Sequence, residues 1–442
     1  MATPTASETR LAAHAAYVLR ANDTGTLTTA APKLYPHQWS WDAAFIAVGL
    51  ATVSVPRAIA ELDVLLTAQW STGMLPHIVF APGTDYFPGA DVWNSHVSPA
   101  APKNVQTSGI CQPPVHAIAL QQLLATARHT GGTARAQAEE FVARTFDQWL
   151  AWHRWLAQAR DPHQRGLLQI YHGWESGMDN SPRWDTAYAA VQPDHALLKL
   201  RRHDLNHVTD PTQRPTDTEY HRYLQLLKQM REASYDDTQV PEVVPFRMAD
   251  VFMSAIMAVA SDVLADIGDT LNRADDTAEL RLLADRFRQG VLSTVAAETG
   301  LARDRNTLTG TWVETKTVAG FAPLLSGGSD HIMKRQLDLL AGEEWCGHPR
   351  LRYAVPPSTS PTSDAFNPRS YWRGPQWPVI SWLLYWALNR HGASEFADSI
   401  RAQSLAQLGD LAFGEYYEPF TGEALGSSHQ SWTAAVALGW LS

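Results

Sequence analysis

Two cysteines, Cys111 and Cys346, are all that 442 residues contain. They could in principle pair, but two in so long a chain are no disulfide framework and read as buried free thiols of a reducing compartment. Basic charge is also short: 35 Lys and Arg stand against 45 Asp and Glu, for a formal net charge of −10. Without a basic face there is no general attraction to nucleic acid or anionic membrane, and any anionic ligand must be met by local arginines. No run of about 18 consecutive apolar residues is present to cross a bilayer. The opening "MATPTASETRLAAHAAYVLRAND" lacks the basic-then-apolar order of a secretory signal. A cytoplasmic location is expected. Charged residues make up only 18% of the chain and hydrophobic ones 45%, which excludes a disordered protein and allows a sizeable core. HExxH, CxxC, GxGxxG and Walker-type loops are missing. "GWESGM" is no nucleophile elbow, and "DNSPRWD" lacks the alternating oxygen ligands of a calcium loop. Neither a metal nor a cofactor is expected.

What the chain has in excess is tryptophan: 17, against 13 each of tyrosine and phenylalanine. Many of these rings neighbour acids, Gln and Gly in loop-like stretches, where flat apolar faces suit sugar rings or cations. Helical periodicity dominates elsewhere. Thr5 with Glu8 fits a capping box, and Leu11, Ala15, Val18 and Leu19 then form one apolar face. Further helices are predicted near 41–52, 56–69, 113–128, 135–160, 218–233, 248–267, 274–296, 330–341, 378–390, 394–410 and 430–441. "WDAAFIAVGLA", "MADVFMSAIMAVA", "PVISWLLYWAL" and "SWTAAVALGWL" are apolar or small on nearly every side, which means burial all round. "RAQAEEFVARTFDQWLAWHRWLAQAR" and "TAELRLLADRFRQGVL" are amphipathic and belong outside. Alternating inner and outer helices without a repeating consensus predict an all-α closed double ring, the (α/α)6 barrel, rather than a solenoid. Residues 1–442 show no composition break and read as one domain, with long Gly/Pro/Trp-rich loops gathered at one mouth.

Five segments combine polar groups with aromatics, each read as lying just before an inner helix: "YPHQWSWDAAF" (35–45), "GICQPPVHA" (109–117), "GWESGMDNSPRWD" (173–185), "RSYWRGPQWPVISW" (369–382) and "GEYYEPFTGEALGSSHQSW" (414–432). Singly, each has a plain structural reading: Asp42 capping a helix, Pro113 and Pro378 at first helical positions, Trp41 in the core. Together, on parallel inner helices, they converge on a pocket with tryptophan walls. Paired carboxyls in an aromatic setting suit glycoside hydrolysis, where one protonated acid serves the leaving oxygen and a second carboxylate activates water or attacks. Asp42, Glu175, Asp179, Asp185, Glu415, Glu418 and Glu423 are all candidates, and pattern alone does not choose among them.

"YPHQWSWDAAF", "GWESGMDNSPRWD", "YWRGPQWPV" and "EYYEPFTGEALG…HQSW" together resemble glycoside hydrolase family 63, and more loosely the trehalases of family 37, from about residue 35 to the C-terminus. Within family 63, a chain this compact resembles the mannosylglycerate and glucosylglycerate hydrolases. The resemblance implies an (α/α)6 catalytic domain and inversion of configuration. Asp179 matches the family's acid and Glu415 its base, with Glu418 as the rival for the second role. It further implies a sugar subsite lined by Tyr35, Trp39, Trp41, Asp42, Gln112, Trp174, Gly177, Tyr371, Trp372, Trp377 and Gln430. Glu175 and Asp185 then remain as structural hydrogen-bonding acids.

A glycosylglycerate carries a carboxylate, and "QRPTDTEYHRY" (213–223) gathers Arg214, Tyr220, Arg222 and Tyr223. By the same resemblance Arg214 grips that carboxylate and Tyr220 adds a bond. The plain alternative is a charged helix start, capped by Thr216 or Asp217 with Glu219 in the first turn. Arg373 is a second candidate anion contact, or an orienter of a catalytic acid. Loops 71–112 and 199–217 read as a lid and a glycerate-binding insertion, the lid centred on 85–106. The implied partner is a small anionic glycoside, with neither nucleic acid nor membrane, and an exposed apolar patch would mark a homo-oligomer. Competing readings are a trehalase or other α-glucosidase on neutral disaccharides, a sugar epimerase working through His37, His116 and His429, and a catalytically inert sugar-binding toroid.

Overall fold

The computed structural model describes residues 5–84, 86–197, 202, 204–208 and 210–442. Thr5 opens the first element as predicted: its hydroxyl accepts the Glu8 N–H, and the Glu8 carboxylate accepts the Thr5 N–H. Helix α1 (Ala6–Ala21) then buries Leu11, Ala15, Val18 and Leu19. Eleven further ring helices follow: α2 (Ser40–Val53), α3 (Val55–Thr67), α4 (His116–Thr130), α5 (Gly132–Trp155), α6 (Val251–Thr270), α7 (Ala274–Ser293), α8 (Ala322–Ser326), α9 (Asp330–Ala341), α10 (Pro378–Arg390), α11 (Ser394–Gln407) and α12 (Ser431–Leu441).

The even-numbered helices touch in the cyclic order α2, α4, α6, α8, α10, α12 and back to α2, while the odd-numbered ones pack against them from outside. This is the all-α, (α/α)6 toroid that the alternation predicts. Composition explains the placement. Helix α2 buries every residue from Ser40 to Ala51, and α12 every residue from Ser431 to Leu438, because neither has a polar face to offer solvent. Helix α5 buries Ala138, Phe141, Val142, Thr145, Trp149 and Trp152, one stripe at helical spacing. Helix α6 is long and apolar enough to span a bilayer by composition, but it is an inner helix buried within the ring. Both cysteines are buried and unpaired.

Three details differ from the sequence reading. Helix α4 begins at His116, not near 113, because Pro114 disfavours helical dihedrals at the residue before it. Residues 248–250 pair as a strand before Asp250 caps α6 through the N–H groups of Phe252 and Met253. The fourth inner helix, α8, is only five residues long and lies in a stretch where no helix is predicted.

Short antiparallel strands pin the loops: β1 (Gln38–Trp39) with β2 (Ile78–Val79), β3 (Leu168–Ile170) with β4 (Met248–Asp250) and β5 (Arg305–Asn306), and β6 (Tyr416–Tyr417) with β7 (Ala424–Leu425). The β6–β7 register sets Tyr416 opposite Leu425. Between α5 and α6 an insertion carries a further helix, Asp217–Glu232, closed by a capping box of Thr216 and Glu219. Within the expected lid and insertion, Asp85, Lys199, Leu200, Arg201, His203 and Thr209 lie outside the described residues.

Candidate active site

All five aromatic segments deliver side chains to one cavity of about 790 Å³, its open mouth included. Tyr35, Trp39, Trp41 and Asp42 enter from β1 and the first turn of α2, Gln112 from the loop before α4, and Trp174, Gly177 and Asp179 from 173–185. Tyr371 comes from the loop before α10, Glu415 and Gln430 from the stretch before α12, and Arg214 and Tyr220 from the insertion. Four of the segments run directly into an inner helix. The fifth, 173–185, does not: it feeds the insertion, and the chain reaches α6 only at Val251.

Two of the expected lining residues sit behind the wall. Trp372 and Trp377 stack face to face at 3.6 Å between centroids, Trp377 stacks in turn on Tyr416 at 4.6 Å, and neither borders the cavity. They back Tyr371, whose ring meets the edge of Trp377 at 5.2 Å. Arg373 is also absent from the lining; its guanidinium clasps the Asp185 carboxylate through two bonds of 2.8 Å. It therefore offers no free fork to an anion.

Tertiary partners sort the seven acids. Glu175, fully buried, accepts from Arg160 at 2.6 Å and from the Tyr171 N–H at 2.7 Å. Glu418 accepts the N–H groups of Phe420 and Thr421 and so closes the β6–β7 turn. Glu423 pairs with Arg369, and Asp185 with Arg373. Asp42, Asp179 and Glu415 remain, and all three border the cavity.

Their environments differ. Asp179 is half-buried, and desolvation pushes its carboxyl up to about 7, with Arg214 pulling it down and Glu415 pushing it further up. Asp42, on the first turn of α2, is raised well above the usual carboxylate range by burial and by Glu415. Glu415 is also raised by burial, but it is the best supplied with donors. The Arg214 guanidinium stands 3.9 Å away, the Tyr35 hydroxyl donates to Oε1 at 2.7 Å, and the Ser427 N–H donates to Oε2 at 3.1 Å. Gly426 makes room for it: an added Cβ there would lie 2.5 Å from Glu415 Oε2. Gly177 is likewise required, since its φ of +70° is left-handed and a Cβ would lie 2.6 Å from the Trp41 ring.

Arg214 is the sole cation bordering the cavity among the described residues. Its Nη1 donates to the Tyr35 hydroxyl at 2.7 Å, its Nε to Asp204 at 3.3 Å, and its plane covers the Tyr371 ring at 4.3 Å. Gln213 ties this loop to the β6–β7 hairpin: its side-chain carbonyl accepts from the Gly426 N–H at 3.0 Å, and its backbone carbonyl accepts the Tyr416 hydroxyl. The 86–106 segment is docked on the insertion, with the Phe87 carbonyl accepting from Tyr220, the Val92 carbonyl from Arg231 and the Trp93 carbonyl from Tyr235.

Sequence reasoning missed several lining residues, among them His77, Tyr86, Phe87, Trp93, Asp204 and Trp432. The aromatics of "DYFPGADVW" were a usable signal; His77 gave none. It stacks on Trp174 with ring centroids 6.1 Å apart, and burial holds it neutral. The three histidines considered for epimerase chemistry do not border the cavity: His37 and His116 are buried in other contacts and His429 is exposed.

The chain is a glycoside hydrolase. A model of the mannosylglycerate hydrolase MGH1-like glycoside hydrolase domain matches residues 35–433, and the chain belongs to that family, within glycoside hydrolase family 63. It is 55% identical to the glucosylglycerate hydrolase of Mycolicibacterium hassiacum over 442 residues, 99% of each chain. It is 39% identical to the mannosylglycerate hydrolase MGH1 of Selaginella moellendorffii over 96% of this chain and 84% of the relative. The crystal structure of the family 63 mannosylglycerate hydrolase from Thermus thermophilus, in complex with Tris and D-glycerate, superposes with a TM-score of 0.87 at 38% identity, covering 97% of this chain and 99% of that one.

Proposed function

We propose that the enzyme hydrolyses α-linked glucosylglycerate, mannosylglycerate or both, with inversion, in the cytoplasm and without metal or cofactor. Asp179 donates its proton to the glycosidic oxygen as the bond to C1 breaks. Glu415 takes a proton from the water that attacks C1 from the opposite face, so the products are the β-hexose and glycerate. The observation that carries this reading is the sorting of the seven acids: Glu175, Asp185, Glu418 and Glu423 have structural partners, and Asp42, Asp179 and Glu415 face one aromatic cavity, of which Asp179 and Glu415 match the family's acid and base. Their surroundings fit the two roles. Burial keeps Asp179 protonated to about pH 7, and the donors around Glu415 favour its charged form.

Asp42 and Gln112 bind sugar hydroxyls beside the rings of Trp39, Trp41 and Trp174. Arg214 receives the glycerate carboxylate, with Tyr220 beside it, and the 85–106 segment acts as the lid of a single catalytic domain. A neutral disaccharide gives no reason to line the cavity with a buried guanidinium, which favours glycosylglycerate over trehalose.

Wild type and Asp179→Ala are to be compared on glucosylglycerate, mannosylglycerate and trehalose, with NMR reading the anomer first released. The expected result is β-hexose from a glycosylglycerate, with activity lost in the variant. Activity confined to trehalose would reject the substrate, and α-hexose as the first product would reject inversion.

A further inference from the structure

Arg214 reaches both partners of the acid pair electrostatically while making a hydrogen bond to neither. Its Nη1 is bonded to the Tyr35 hydroxyl, which passes its own proton toward Glu415 Oε1, both links at 2.7 Å. The guanidinium thus sits one phenol away from Glu415 and 3.9 Å from it through space. It lowers the proton affinity of Asp179 as well as that of Glu415.

We propose that Arg214 is a charge switch: an aglycone carboxylate bound to it neutralises the field it exerts on Asp179 and Glu415, so the anionic substrate readies its own acid and base. The inference rests on the glycosylglycerate reading above. In the free enzyme the arginine holds both carboxyls toward ionisation. That lowers the pH at which Asp179 gives up its proton and weakens Glu415 as a base. With its charge met by an anion, Asp179 keeps its proton to higher pH and Glu415 takes one from water more readily. A neutral aglycone would fill the same space without this release.

Other groups facing the pair stay fixed over the relevant pH range. Tyr35 and Tyr371, flanking Glu415, and Tyr86, on the cavity wall, are pushed up by burial and remain neutral phenols. The same holds for Tyr188 and Tyr223 near Asp179, and for Tyr416 on β6. His77 is held neutral by burial. Asp204 is held below the usual carboxylate range by Arg202 and Arg214 and adds a constant negative charge at the cavity wall. Asp42 is the exception, a further acid raised well above the usual carboxylate range by burial, by Glu415 and by Asp179.

The test uses the wild-type enzyme labelled with ¹³C at aspartate carboxyls, the Asp179 signal being assigned by its loss in Asp179→Asn. Its titration is followed alone, with saturating D-glycerate, and with neutral methyl glycerate, binding being checked by calorimetry. D-glycerate is expected to raise the Asp179 midpoint by roughly one pH unit, a tenfold change in proton affinity, and methyl glycerate to leave it in place. Arg214→Gln should start from the raised midpoint and no longer respond. Glycerate that binds while the midpoint stays or falls would overturn the switch and leave the aglycone reading intact. Failure of glycerate to bind would overturn that reading, and the switch with it.

Discussion

Asp179 keeps a proton that an exposed aspartate would lose, because its charged form is poorly solvated beside Glu415. Holding that proton has a stability consequence with a definite sign. The folded chain binds the proton more tightly than the unfolded one, so the contribution is fully present below the ordinary value of 3.8. It is lost as pH rises toward about 7. Asp179→Asn, which cannot ionise, should therefore gain on wild type between pH 5 and pH 8 by about 2–3 kcal/mol, measured by urea unfolding. An unchanged difference between the two pH values would mean that the carboxyl titrates normally. The same residue shows what the sequence could not resolve. Seven acids neighbour aromatics, and what separates them is their distant partners. Glu423 meets Arg369 and Asp185 meets Arg373, far apart along the chain, so no local pattern reveals that they are already paired. The sequence motif that did isolate Asp179 and Glu415 was the family resemblance.

Elements were legible in proportion to their length and periodicity. The long helices declare themselves by a buried stripe or by apolarity all round, whereas α8 has too few residues to show a period and gains its place from its neighbours in the ring. The β6–β7 hairpin was equally hidden, yet it sets Glu415: Glu418 closes its turn, Gln213 fastens its second strand, and Gly426 leaves the space that Oε2 occupies. Gly426 also has φ +69°, so Ala there is strained as well as crowded. Gly426→Ala should move the carboxylate by a fraction of an ångström and lower kcat on a glycosylglycerate by roughly 10- to 100-fold. The Gly426 N–H also holds the Gln213 side chain at 3.0 Å, so binding of D-glycerate, read by calorimetry, should weaken as well. An unaltered kcat would show that the Glu415 position is not what limits the reaction.

At the scale of the whole molecule, the ring must close, and it does so where the first inner helix meets the last. Gly49 of α2 lies against α12 so closely that a Cβ would come within 2.4 Å of the Ala435 Cα, a backbone atom that cannot swing aside. Two effects oppose each other in Gly49→Ala. Helix propensity favours alanine by about 1 kcal/mol, while forcing a methyl into a packed helix contact costs about 1–3 kcal/mol. Because the obstacle is main chain, the clash should win, and the variant should be less stable by up to about 2 kcal/mol. Its form of unfolding is the sharper test. In a ring whose inner helices each lean on two neighbours, loosening the closing contact weakens every member. The melting profile should then shift down as one transition, with calorimetric and van't Hoff enthalpies still equal. An early partial transition in Gly49→Ala would instead mean that α2 and α12 belong to units able to unfold separately, and the chain would have to be redrawn as two domains.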